Sequence, residues 1–358
     1  MADGRRMAYR VAAYQDGKPI VEAQAGTMGP DDSRPVGPDT LFLSFSSTKG
    51  PAATLIHMLA ERGLIEYDAP VAKYWPAFGD EGSRTHRAGD EHAGERLPPR
   101  CRSPSSRSTS PTGMPASSGW KKAFRTTPGT QTGYHAATLA WITGGIVQAV
   151  TGSRRPDLDT VGDRAAAGAR RRDVRGHPGR AGRPAGDAGD RRGRRGHAHP
   201  GGRGVLQSDA AGDVAALRRR AFRNACLPSG NGHFTARALA KMYSALATDG
   251  SVDGVQLVKP ETLPYMNRLV TDDVDVVLGM PTRKSIGYFL GGAQQGIHGP
   301  MGPRESVFGH PGAGGSVGFA DPEARLSVGV ALNKMNYPNP GEGVTLEICD
   351  AIRQQAGA

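Results

Sequence analysis

The chain has 358 residues, and its three cysteines, Cys101, Cys226 and Cys349, lie far apart. Sparse, unclustered cysteines argue against a disulfide framework or a zinc site and are typical of a reducing compartment. The net charge of +11 would suit a polyanionic partner, but residues 154–223, with eighteen Arg and eight Asp, carry ten of these eleven charges.

The N-terminal residues predict an antiparallel hairpin. Two strand-like runs flank Asp16 and Gly17 in YRVAAYQDGKPIVEAQAG, and an Asp-Gly pair in this setting is a strong hairpin signal. The first residues lack the continuous apolar stretch of a signal peptide, and no run approaches the roughly 18 apolar residues of a spanning helix. We therefore expect a soluble, cytoplasmic protein with no membrane partner.

Ser46 stands three residues before Lys49 in LFLSFSSTKG, where an apolar run gives way to a helical pattern over residues 51–62. This places both residues at the positive end of a helix, one turn apart. Burial lowers the pKa of a lysine from about 10.4, which would let the amine take the serine proton. The alternative is that the hydroxyls only cap the helix. The same spacing at residues 118–121 has no helical pattern after it.

Two segments, residues 79–119 and 154–223, have a composition that predicts loop or disorder. An arginine-rich arm for nucleic acid would need aromatic residues for base stacking; none is interleaved, so we expect no specific nucleic-acid partner. A linker of this length inside a compact domain is unusual. We favour a third hypothesis, out-of-frame translation of a GC-rich coding sequence, because misread GC-rich codons yield mostly Arg, Gly, Ala and Pro.

Hydrophobic periodicity predicts the remaining elements. One helix ends near Gly152, another begins after Thr235, and a third covers about residues 343–355. Between the last two lies a glycine-rich hairpin in FGHPGAGGSVGFADPEARLSVGVALN. Strands at both ends with helices between them predict an α/β fold whose sheet is completed by both termini.

Three blocks of sequence share motifs with a known family. TLFLSFSSTKGPAATLIHMLAERGLIEYDAPVAKYWPAF joins the Ser46–Lys49 spacing to an RGL helix end, and Tyr134 opens the motif of PGTQTGYHAATLAWITGGIVQAVTG. The third block contains His310, Pro311 and Gly312. In this order the blocks resemble the serine β-lactamase-related family, which includes class C β-lactamases, penicillin-binding proteins and family VIII carboxylesterases. The resemblance is strongest to the family VIII carboxylesterases.

The resemblance implies one β-lactamase-like domain over residues 1–358, in which an antiparallel sheet is flanked by helices and a helical lobe is inserted. It implies a serine hydrolase with Ser46 as nucleophile, Lys49 in proton transfer and Tyr134 as general base and later acid. It further implies an oxyanion hole from the N–H groups of Ser46 and Ala313, and no cofactor. The opposite wall of the cleft would be formed by His310 and Gly312.

Two departures from the family pattern favour esters over lactams. Ala136 replaces the asparagine of Tyr-x-Asn, and His310 replaces the lysine of Lys-Thr-Gly. Both changes are common among the esterase-like members, and a neutral histidine holds a substrate carboxylate poorly near pH 7. The prediction is an enzyme that cleaves a small-molecule ester or, less well, a lactam through an acyl-enzyme.

The alternative is a non-catalytic or vestigial relative whose cleft is broken by the two unusual segments.

Without the resemblance, the sequence pattern would predict that Tyr134 is a packed aromatic residue before a helix. By the same reasoning His310 reads as a polar surface residue before a glycine-rich turn.

Overall fold

The computed structural model describes residues 8–29, 32–79, 131–136, 138–152, 228–336 and 338–358. Residues 80–119 and 154–223, together with Cys101 and Cys226, lie outside these ranges, so the hypotheses about the two segments stay predictions. Among the described residues, none of the helices combines the length and the hydrophobicity that a membrane span requires.

The described residues form fourteen strands and seven α-helices. The strands are β1 (Tyr9–Gln15), β2 (Lys18–Ala25), β3 (Thr27–Gly29), β4 (Asp32–Pro35), β5 (Phe42–Leu43), β6 (His233–Phe234), β7 (Ser251–Val252), β8 (Val255–Gln256), β9 (Val274–Asp275), β10 (Met280–Pro281), β11 (Phe289–Leu290), β12 (Phe308–Pro311), β13 (Val317–Asp321) and β14 (Leu326–Leu332). The α-helices are α1 (Lys49–Glu61), α2 (Val71–Tyr74), α3 (Pro76–Gly79), α4 (Thr138–Thr151), α5 (Ala236–Leu246), α6 (Leu263–Met266) and α7 (Val344–Ala356).

A six-stranded antiparallel sheet joins the two ends of the chain, as predicted. Its strand order is β11-β12-β13-β14-β1-β2, and β1 pairs with β14 so that Tyr9 faces Leu332. The hairpin between β1 and β2 turns at Asp16 and Gly17, whose φ angles of 51° and 73° both lie in the left-handed region. Such angles are what a two-residue Asp-Gly turn requires.

Helices cover both faces of this sheet. Helix α7 packs on one face, where Cys349 and Ile352 lie in a core cluster with side chains of β13 and β14. Helix α5 packs on the other face, and a Cβ at Gly329 of β14 would lie only 2.5 Å from the Ala236 carbonyl oxygen. This glycine therefore permits the close approach of helix and sheet. Helix α5 begins directly after Thr235, as predicted, and Thr235 caps it by accepting the Ala238 N–H at 3.0 Å.

The helix after the Ser-Lys motif begins earlier than predicted. A 3-10 turn, Phe45–Thr48, leads into α1, which starts at Lys49 rather than at Pro51. Pro51 is tolerated because its missing N–H falls in the first helical turn, where that group has no partner within the helix. Helices α1, α4 and α5 then share the largest apolar core cluster, so the 3-10 turn lies where the sheet and the helical layer meet.

Candidate active site

Ser46 lies in the 3-10 turn at the end of β5. The residue before it, Phe45, has a φ of 44°, a left-handed conformation that a bulky side chain rarely adopts. Such strain persists only where the surrounding contacts impose it, and it is concentrated at functional sites. One such contact anchors the chain just upstream, where the Ser44 N–H donates to the Gly232 carbonyl at 2.9 Å.

The hydroxyls near Ser46 do not cap the helix. Neither the 3-10 turn nor α1 has a side-chain cap at its N-terminus. Thr48 Oγ1 donates to the Phe45 carbonyl at 2.6 Å, and Ser47 Oγ donates to Ser316 Oγ at 3.2 Å. The capping interpretation of the motif is therefore wrong.

Lys49 is buried, with 1% of its surface exposed, and its Nζ reaches Ser46. Nζ donates to Ser46 Oγ at 3.1 Å, to the Ala136 carbonyl at 2.9 Å and to the Ser229 carbonyl at 2.8 Å. Burial lowers the pKa of Lys49 from 10.5 to about 7, because desolvation disfavours the ammonium form. Near neutral pH this side chain can therefore accept a proton.

Tyr134 also lies beside the serine. Its hydroxyl makes a side-chain hydrogen bond with Ser46, and Lys49 Nζ lies 5.0 Å from the centre of its ring. Burial raises the pKa of Tyr134 well above the usual value of 10, so the phenol stays protonated at neutral pH. Ser46, Lys49 and Tyr134 thus converge although Tyr134 is more than eighty residues away in the sequence.

His310 is buried, with 3% of its surface exposed, so the surface alternative for this residue is wrong. Its ring lies 5.0 Å from that of Phe289 and 6.1 Å from that of Tyr134. Burial, together with the positive charges of Lys49 and Lys284, lowers the pKa of His310 to about 3. The imidazole is therefore neutral at pH 7, and its Nδ1–H donates to the Pro311 carbonyl at 2.6 Å.

Gly312 brings the end of β12 against the nucleophile turn. A Cβ at this position would lie 2.4 Å from the Ser44 carbonyl oxygen and 2.2 Å from Ser316 Oγ, so no side chain fits. Ser316 Oγ also donates to the Ser44 carbonyl at 2.9 Å. The contact holds Ala313, the next residue, beside the turn that carries Ser46.

A mostly apolar pocket lies beside these two segments. It contains about 320 Å³ of empty volume, part of which is open to solvent. Its polar side chains are already engaged, since Asn333 donates to the Thr27 carbonyl at 2.8 Å. The pocket therefore offers mainly carbon to a bound group, from residues Leu43, Phe45, Ala313, Ser316, Leu332, Asn333 and Met335.

Several residues around the site were not predicted from the sequence. These are Phe289, the buried pair Asp275 and Lys284, and Ser229, whose carbonyl accepts from Lys49. The available signal was Asp275 itself, because a carboxylate inside the run Val-Asp-Val-Val is unusual unless it is paired.

The chain is similar to known proteins over most of its length. The family model described as Beta-lactamase matches residues 1–348. The esterase/beta-lactamase LipL of Mycobacterium tuberculosis (strain ATCC 25618 / H37Rv) is 31% identical and the match covers 94% of this chain and 80% of that protein. A crystal structure of a family VIII carboxylesterase has a TM-score of 0.77 and 28% identity, and the match covers 98% of this chain and 93% of that one.

A second solved structure, a penicillin-binding protein homologue from Caulobacter crescentus, has a TM-score of 0.75 and 26% identity over 99% of this chain and 94% of its own. These matches confirm the β-lactamase-like fold expected from the three sequence blocks. The chain belongs to the Beta-lactamase family.

Proposed function

We propose that this protein is a serine hydrolase that cleaves carboxylic esters through an acyl-enzyme. The observation that carries the proposal is the contact between Lys49 Nζ and Ser46 Oγ at 3.1 Å. A buried amine with a pKa of about 7 is a suitable base for a hydroxyl nucleophile at neutral pH.

The proton route follows from the two pKa shifts. Neutral Lys49 takes the Ser46 proton as Oγ attacks the ester carbonyl and forms the tetrahedral intermediate. The family resemblance assigned the general base to Tyr134, but a phenol whose pKa is raised by burial stays protonated at neutral pH and holds a proton to donate rather than a site to accept one. Tyr134 therefore protonates the departing alcohol and recovers its proton from Lys49. Water then attacks the acyl group, passes its proton back by the same route, and releases the acid and free Ser46.

Charge on the carbonyl oxygen is stabilised by the N–H groups of Ser46 and Ala313. The packing of Gly312 against Ser44 supports this pairing, because it holds the two donor segments together. Each such donor is worth about 3 kcal/mol in acyl-transfer enzymes.

Esters are favoured over lactams because the site has no fixed cation at His310. The imidazole is neutral at pH 7 and its Nδ1–H is already bonded to the Pro311 carbonyl. A lactam drug carries a carboxylate that needs such an anchor, whereas a simple ester does not. The pocket beside Phe45 and Ala313 suits an apolar substituent of the ester.

A fluorophosphonate probe tests the nucleophile directly. The intact chain should be labelled, with the adduct found on Ser46 by mass spectrometry, and Ser46→Ala should abolish labelling. Ser47→Ala is the matched control, since it removes the neighbouring hydroxyl and should still be labelled. Equal labelling of the Ser46→Ala protein and the intact chain would rule out the proposed function.

A further inference from the structure

Asp275 and Lys284 form a buried ion pair beside the proposed site, and the mechanism above gives neither a role. Their exposed fractions are 0% and 4%, and Lys284 Nζ donates directly to Asp275 Oδ2. A buried ion pair is a poor source of stability, because the cost of desolvating two charges offsets their attraction. Its contacts with neighbouring segments therefore indicate what it does.

Both members of the pair hold residues 131–136. Asp275 Oδ1 accepts the Tyr134 N–H at 3.1 Å, and Lys284 Nζ donates to Thr132 Oγ1 at 2.9 Å. The pair thus contacts two positions of this segment.

The carboxylate that makes these contacts is itself fixed. Asp275 Oδ1 also accepts the N–H groups of Val277 and Leu278, both at 2.8 Å. Hydrogen bonds from backbone N–H groups to a buried carboxylate are charge-assisted and strong. The turn after β9 therefore holds Asp275 as a rigid support.

Residues 131–136 need such a support. They contain a turn but neither a helix nor a strand, so no regular backbone ladder positions them. Yet the Tyr134 hydroxyl must meet Ser46, and the Ala136 carbonyl must accept Lys49 Nζ at 2.9 Å. We propose that Asp275 and Lys284 are positioning residues that hold Tyr134 at the nucleophile, an inference that rests on the proposed function.

The competing explanation is that the pair only stabilises the β9–β10 hairpin. Asp275→Asn distinguishes the two explanations, because the amide oxygen can still accept N–H groups while the charge that holds Lys284 is lost. We expect kcat for p-nitrophenyl acetate to fall about 10- to 100-fold, the range expected for a catalytic group displaced by up to about 1 Å. KM should stay within about threefold, since the substrate itself is not contacted.

Asp321→Asn is the matched control. Asp321 is also fully buried. Its carboxylate accepts Arg304 Nη1 at 3.0 Å and the Ala324 N–H at 3.1 Å, so it supports a turn that is not part of residues 131–136. This variant should lose stability but keep kcat within about twofold. Equal losses of kcat in the Asp275 and Asp321 variants would overturn the inference.

A double-mutant cycle with Tyr134→Phe shows whether the pair acts through the phenol. In that background Asp275→Asn should lower kcat by less than about twofold, because the group that it positions is already absent. A loss as large as in the intact chain would contradict the inference.

Thr132→Val keeps the test open if Asp275→Asn does not fold. This substitution removes only the hydroxyl that accepts Lys284 Nζ, and it should lower kcat about 3- to 10-fold. In the Tyr134→Phe background the same substitution should leave kcat unchanged. A folded Thr132→Val protein with unchanged kcat would overturn the inference. Absence of Ser46-dependent hydrolysis by the intact chain would instead overturn the proposed function, and this inference with it.

Discussion

Hydrolysis of p-nitrophenyl acetate should rise as the pH passes through about 7, the pKa of Lys49. Desolvation disfavours the ammonium and so lowers the pKa, and only the neutral amine can accept the Ser46 proton. The reactive fraction is therefore about a tenth at pH 6, about half at pH 7 and about nine tenths at pH 8. We would measure kcat/KM between about pH 5 and pH 9 at constant ionic strength, after subtraction of buffer hydrolysis.

Lys49→Arg is the control for this profile. A guanidinium stays protonated throughout the range, so the step near pH 7 should vanish and activity should fall at least about a hundredfold, the usual contribution of a general base. A flat profile in the intact chain would refute the assignment of Lys49. A rate that still increases at pH 9 without levelling off would instead return the role of base to Tyr134, whose pKa is raised by burial.

Three further predictions concern packing and stability. Gly312→Ala should lower kcat about 10- to 100-fold in the same ester assay, because its Cβ would meet the Ser44 carbonyl oxygen at 2.4 Å. Gly50→Ala should lower the free energy of unfolding by about 1–3 kcal/mol in denaturant titrations, because its Cβ would lie 1.9 Å from the Tyr243 hydroxyl oxygen. Adding Tyr243→Phe, which removes this oxygen, should restore most of the lost stability. The free energy of unfolding should rise between pH 7 and 10.5 by up to about 1.4 kcal/mol per pH unit. In this range Lys49 is neutral in the folded chain but protonated in the unfolded chain, where it regains its usual pKa. The Lys49→Met protein should lack this rise.

Much of the fold could be predicted because its signals are local. The turn at Asp16 and Gly17 needs only two residues that tolerate left-handed angles. Helix α5 follows from a capping Thr235 and an apolar period that repeats within one element. The closure of the sheet by β1 and β14 is a non-local pairing, and it was foreseen because the strand patterns lie at both ends of the chain.

The details of the site could be predicted only in part. The spacing of Ser46 and Lys49 is visible in the sequence. The burial that lowers the pKa of Lys49 and the carbonyls of Ala136 and Ser229 that accept from its Nζ come from residues far along the chain. The apolar run around Asp275 indicates that this carboxylate has a partner, but it does not identify Lys284 as that partner, because opposite charges nine residues apart are common on surfaces. Such contacts arise from tertiary packing, which no local pattern encodes.

Substrate class is the last property that the site predicts. A cephalosporin needs a cation for its carboxylate, and the loss of one charge-assisted hydrogen bond costs about 1.5–3 kcal/mol, or about one to two powers of ten in rate. We therefore expect kcat/KM for a p-nitrophenyl ester to exceed that for a chromogenic cephalosporin by at least about tenfold. Position 310 is buried, and the positive charges of Lys49 and Lys284 disfavour a further positive charge there.

His310→Lys should accordingly narrow the gap without closing it, because both neighbouring cations oppose protonation of a new amine at that position. His310→Gln is the matched control, since it is neutral like the buried imidazole and should leave the ratio unchanged. If the unmodified chain prefers the cephalosporin, the ester assignment is wrong, while the roles of Ser46, Lys49 and Tyr134 would still stand, because acyl transfer from a lactam uses the same nucleophile and proton route.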